Sequence, residues 1–268
     1  TAGRDQIGVS GSVYIGENAG HSVSTGQQNI AIGKDAMNGG TVTGYNNIAI
    51  GVKAGDALTS GLRNVFVGQN AGGAAQGADF NTAVGDNALA ANTNGQYNAV
   101  FGLNAGDATT AGTRLTLIGT AAGRGNITAD GIGTVAVGYA AYNVGTSGIG
   151  NTVVGYEALD AEDDGDYNTA VGYQALTDQT GVSGEVSNTA IGYRAGYAIT
   201  TGIRNTIVGA AAAGSTLLVD NIVAIGYGAG NGIMTADADG TVAIGMSAMN
   251  NITSGQRNMG IGYHALKS

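Results

Sequence analysis

The sequence predicts an all-β fold, a parallel β-solenoid of about 15 coils of about 17 residues, and three observations predict it. First, one phrase (an apolar pair, a glycine, two variable residues, an alanine) recurs fifteen times, as in Ile32-Gly33-Lys34-Asp35-Ala36 and Val171-Gly172-Tyr173-Gln174-Ala175. Its glycines are Gly16, Gly33, Gly51, Gly68, Gly85, Gly102, Gly119, Gly138, Gly155, Gly172, Gly192, Gly209, Gly226, Gly245 and Gly262, and eleven of the fourteen steps are 17 or 18 residues. Second, the chain holds 50 glycines at fixed places and no proline. Glycine supplies turn conformations and proline removes a ladder donor, so this composition suits a backbone that is ladder-bonded almost throughout. Third, Val and Ile alternate with a second apolar column around each glycine, the pattern of a strand buried on both sides. The repeat runs from end to end without a linker, so residues 1–268 read as a single β-solenoid repeat domain.

Each element follows from its place relative to the key glycine. Positions −1 and −3 are apolar or Thr and share one strand face, because side chains alternate. They are expected to form the core, with Ile32, Ile50, Val67, Val84, Val171, Ile191, Ile225 and Ile244 as its markers. Position −2 lies on the opposite face and is Ala in eight repeats and bulky in six (Tyr14, Phe66, Val100, Leu117, Val153, Ile207). The reverse assignment, with −2 inward, stays open. Position −4 is Asn in ten repeats, which predicts amides stacked along the coils. Position +3 is Ala in every repeat, and +4 swings between Gly and Leu or Met. The coil is expected to run through a strand at −4 to −1, a glycine corner, a second short strand near +3 to +7, and a turn back. Stacking at about 4.8 Å would give a rod roughly 70 Å long. Insertions at Gly123–Gly133, Thr177–Ser187 and Gly230–Gly240 are expected as loops on a binding side.

An apolar column on each strand face leaves one of them uncovered by the coil itself. A continuous apolar strip of that length calls for a cover, and three parallel copies around an axis would supply it for every coil at once. The formal net charge of −9 argues against nucleic acid and anionic membranes as partners. No apolar run is long enough to span a bilayer, so no membrane insertion is expected. Without cysteine there are no disulfides or thiolate metal sites. The sequence opens without Met and closes in mid-pattern at Gly262-Tyr263-His264-Ala265-Leu266, which reads as a segment of a longer fibre.

Asn221-Ile222-Val223-Ala224-Ile225-Gly226, Thr241-Val242-Ala243-Ile244-Gly245 and Asn188-Thr189-Ala190-Ile191-Gly192 resemble the YadA-like head repeats of trimeric autotransporter adhesins. The longer phrase Asn168-Thr169-Ala170-Val171-Gly172-Tyr173-Gln174-Ala175-Leu176 resembles the longer-period variant seen in phage tail-fibre proteins. The resemblance covers essentially the whole chain. It implies a left-handed parallel β-roll, an intertwined parallel homotrimer and a role in attachment. Adhesin heads of this kind have shorter coils, which favours the fibre-type reading.

Candidate chemistry is sparse. Tyr139, Tyr156, Tyr173 and Tyr193 occupy position +1 in consecutive coils, where a ladder could contact glycans or serve ordinary packing. Asp163, Asp164, Asp166, Asp237 and Asp239 form acidic, glycine-bearing loops, weak calcium candidates that read better as solvated turns. His21 and His264 stand at opposite ends of the sequence, which argues against a histidine metal cluster or a triad. Thr152, Thr169, Thr189 and Thr206 align in one column and suggest an ice-binding face, but Val and Ile elsewhere in that column read as core. No cofactor and no enzymatic activity are expected. The expected function is a phage-type attachment fibre binding a cell-surface glycan or protein receptor, outside the cell, on a virion tail or a bacterial surface. The alternatives are a bacterial adhesin head and, third, a glycan-degrading spike.

Overall fold

In the computed structural model, residues 10–180, 183–232, 234–235 and 238–266 are described. The sequence reads as one repeat domain; the chain divides into two compact units, Thr1–Gly133 and Thr134–Ser268, built from the same coil. In the first unit, β1 (Val13–Ile15), β2 (Ile30–Ile32), β3 (Ile48–Ile50), β4 (Val65–Val67), β5 (Thr82–Val84), β6 (Ala99–Phe101) and β7 (Thr116–Ile118) pair in parallel and in chain order. In the second, β8 (Val135–Val137), β9 (Thr152–Val154), β11 (Thr169–Val171), β13 (Thr189–Ile191), β14 (Thr206–Val208), β15 (Val223–Ile225), β16 (Val242–Ile244) and β17 (Met259–Ile261) do the same. Two shorter strands, β10 (Gly165–Asp166) and β12 (Gly184–Glu185), pair beside them, and β12 lies in the second of the expected insertions. No α-helix occurs among the described residues. Register is in phase: Val13 faces Ile30, Tyr14 faces Ala31 and Ile15 faces Ile32, so each repeat position becomes a column.

The coil has one strand where the sequence suggested two. After the key glycine the chain does not extend; it turns, because +2 and +4 both take left-handed backbone, as at Asp35 (φ 57°) and Met37 (φ 49°). A third left-handed residue stands at −5, as at Arg63 (φ 55°). All three positions are left-handed in all fifteen repeats, and none of them carries Val, Ile or Thr, whose branched side chains tolerate that conformation worst. The key glycine is required for another reason. A Cβ at Gly68 would stand 2.6 Å from the carbonyl carbon of Gly85 in the next coil.

The core also differs from the expected one. Ala31, Ala49, Phe66, Ala83, Val100, Leu117, Val153, Ala170 and Ile207, all at −2, are fully buried, as are the +3 alanines from Ala19 to Ala248. The columns at −1 and −3 face outward: Ile50, Ile191 and Ile225 are 38%, 41% and 36% exposed, and Ile32, Val67, Val84, Val171 and Ile244 are half-buried. Three left-handed corners bring the returning chain close against a three-residue strand. The gap takes a single inward column, so the two wider columns go outside.

Within that thin core, bulk is traded between −2 and +4. Tyr14 is matched with Gly20, Phe66 with Gly72 and Leu117 with Gly123; Ala31 is matched with Met37, Ala83 with Leu89, Ala136 with Tyr142 and Ala170 with Leu176. A Cβ on Gly72 would lie 2.6 Å from the Phe66 ring. The asparagines at −4 seal one side. The Asn64 Oδ1 accepts the backbone N–H of Asn81 at 3.0 Å, and its Nδ2 donates to the Ala78 carbonyl at 2.6 Å. Asn47, Asn81, Asn98 and Asn205 repeat the arrangement, which satisfies buried amides that would otherwise be costly.

Candidate binding faces

The outward columns −3, −1 and +1 make a continuous face in each unit. In the second unit it carries Val135, Val137 and Tyr139 on one coil, and Thr189, Ile191 and Tyr193 three coils further on. From strand spacing and rise, that unit's face spans about 500 Å², of which the Thr positions of the −3 column are polar, so its apolar part lies within what a monomer's surface ordinarily carries in one patch. Thr152 and Thr206 are exposed and Thr169 and Thr189 half-buried on this same face, so the column read as core is surface, with its threonines set among Val and Ile.

The tyrosine ladder forms as its spacing predicts. Tyr139, Tyr156, Tyr173 and Tyr193 stack with ring centroids 5.0, 5.1 and 5.6 Å apart and interplanar angles of 17°, 7° and 19°. Stacking consumes the ring faces of Tyr156 and Tyr173. What remains outward is a line of edges and hydroxyls, so the ladder offers hydrogen bonds and edge contacts and not the flat platform a sugar face would use. Beside it, at +2, runs a second ladder. Gln174 Nε2 donates to Glu157 Oε2 at 2.8 Å, and Arg194 Nε donates to Gln174 Oε1 at 2.9 Å. The Arg194 guanidinium lies 5.4 Å from the Tyr193 ring centre and 5.0 Å from that of Tyr197, so it anchors the end of the stack.

The acidic loop closes a turn. Glu162, Asp163 and Asp164 bring carboxylate oxygens within 4.8 Å of one another. Glu162 is wholly buried and its oxygens are already engaged: Oε1 accepts the N–H groups of Asp163, Asp164 and Gly165, and Oε2 accepts from Gln179 at 2.7 Å. Burial holds this carboxyl above the usual range, against the bonds from Gln179, Gly165 and Asp164 that pull it down. A calcium ion wants six to eight oxygens, and taking Glu162 would break its four donor contacts. Asp166 and Asp239 are likewise spent on backbone, accepting from Ile149 and Asp220 at 2.7 and 2.9 Å. Asp237 lies outside the described residues. The histidines fall in different units, with His264 stacked on Tyr263 at 4.0 Å.

One feature escapes the sequence reading. Phe80 and Tyr97 stack at 5.0 Å and 4°, with the Arg63 guanidinium 5.4 Å from the Phe80 ring centre and that of Arg114 6.0 Å from the Tyr97 ring centre. All four stand at −5, a column whose register was readable but whose mixed residue types concealed it. No helix among the described residues is long and apolar enough to cross a membrane. Comparison with models of known protein families, with curated proteins and with solved structures finds no match.

Proposed function

We propose that the chain is a length of a trimeric attachment fibre, three parallel copies packing their −3/−1/+1 faces together around a common axis, with left-handed coils. The observation that carries this reading is the pair of outward columns at −3 and −1, Val and Ile interspersed with Thr, regular from coil to coil and uncovered by the chain itself, joined at +1 by Tyr in most coils of the second unit. A second copy of the same face matches it in spacing at every coil, which no unrelated partner does without coincidence. On this reading the protein binds and does not catalyse, and it works outside the cell through many weak contacts to a surface glycan or protein receptor. The phage-type tail fibre is the leading form, on the phrase Asn168–Leu176 and the long coil. A bacterial adhesin head is the alternative, and neighbouring tail genes against a membrane-anchor barrel in the parent gene separate the two. A glycan-degrading spike is third; release of oligosaccharide from candidate polysaccharides would promote it. The test of the main proposal is the particle mass by analytical ultracentrifugation. Three chains are expected, and a stable monomer at micromolar concentration removes the proposal.

A further inference from the structure

The −5 corner of the first unit carries a line of groups that the assembly does not explain. From Gln28 it runs through Arg63, Phe80, Tyr97 and Arg114, each bonded in register to the preceding coil, as when Arg63 N donates to the Tyr45 carbonyl at 3.1 Å. All four residues from Arg63 to Arg114 are exposed. At the Gln28 end, Thr25, Gln27, Gln28 and Tyr45 line an open polar hollow of about 330 Å³, the size of a small ligand site. Neither Arg63 nor Arg114 has a carboxylate within ion-pair distance among the described residues. The acid beside the strip, Asp79, spends Oδ1 on the Leu62 N–H at 2.8 Å. The chain carries 19 acidic groups against 10 basic ones, yet four of its seven arginines (Arg63, Arg114, Arg204, Arg257) stand in this single column. Both guanidiniums are held by aromatic rings and not by carboxylates, which leaves their hydrogen-bonding forks open to an anion.

We propose that this strip binds an acidic polysaccharide of the uronic-acid type, laid along the coils. The two guanidiniums stand three coils apart, about 14 Å, and each presents the planar fork that matches a carboxylate. Between them the edges of Phe80 and Tyr97 offer apolar contact, and the hollow beside Tyr45 and Gln28 takes a neighbouring sugar by hydrogen bonds. Nucleic acid fits poorly. Its bases need free ring faces, and here Phe80 and Tyr97 cover each other while arginines cover the ends.

The experiment is affinity electrophoresis and calorimetry of the full assembled chain with polygalacturonate. Neutral dextran, dextran sulfate, double-stranded DNA and phosphatidylserine vesicles are the comparison probes. Polygalacturonate is expected to bind and neutral dextran not. The double variant Arg63→Gln/Arg114→Gln is expected to bind at least tenfold more weakly with particle mass and thermal midpoint unchanged, whereas Arg204→Gln, in the same column of the other unit, leaves binding intact. Should the double variant fold poorly, the salt dependence of the unaltered protein decides, with a slope of about two released counterions expected. Equal binding by the double variant, binding independent of salt, or equal uptake of dextran, dextran sulfate, DNA or vesicles through the same arginines would overturn the assignment. The particle mass does not enter this test, so its failure and that of the trimer remain distinguishable.

Discussion

Gly72 and Phe66 show how single residues are chosen. The ring occupies the space where a Gly72 side chain would grow, and other coils invert the arrangement with Ala83 and Leu89. Gly72→Leu is therefore expected to cost about 2–3 kcal/mol through overpacking. Adding Phe66→Ala should recover most of it, and a double-mutant cycle by chemical denaturation measures the coupling. Asn64→Ala strands the Asn81 N–H and the Ala78 carbonyl, and the same measurement should register a loss of about 1–3 kcal/mol. Glu162 sets a pH response. A carboxyl that burial holds above its ordinary value keeps its proton in the folded chain where the unfolded chain has lost it. Its contribution is then complete below the ordinary value and declines as pH rises through the raised one. Asp160 and Asp178 shift the same way, also through burial first. The thermal midpoint is expected to fall as pH rises from about 4 towards neutrality, and Glu162→Gln should flatten that slope.

At the level of the coil, much was readable. Strand positions and their parity follow from the glycine spacing and hold at all fifteen repeats, and the parallel register holds within each unit. The direction in which the strand faces was not readable, because both faces are apolar. The deciding information lies in a pair of columns: −2 and +4 exchange volume, as in Tyr14 with Gly20 against Ala31 with Met37, and only an inward −2 gives that exchange a purpose. The second strand expected near +3 to +7 could have been rejected from the sequence, since Val, Ile and Thr never occur at −5, +2 or +4. The tyrosine ladder was legible in spacing, but spacing alone does not say that rings stack face to face and so withhold those faces from a ligand.

For the whole molecule, the outward Val and Ile columns are where assembly is tested. Val154→Glu with Ile191→Glu places charges on the exposed face without touching the interior. If the proposed trimer forms, ultracentrifugation should report a fall from three chains to one, with the β-sheet circular dichroism spectrum retained. Loss of the spectrum together with the mass would show that the coils cannot stand without the cover.

Because bulk is balanced mostly inside each turn of the chain, what adjoining turns ask of one another is backbone register and the asparagine contacts at −4, and both recur with the repeat. Copying or deleting a stretch of coding sequence one turn long therefore yields another chain that can still close its interior, and evolution can change the number of turns while leaving the recipe of each alone.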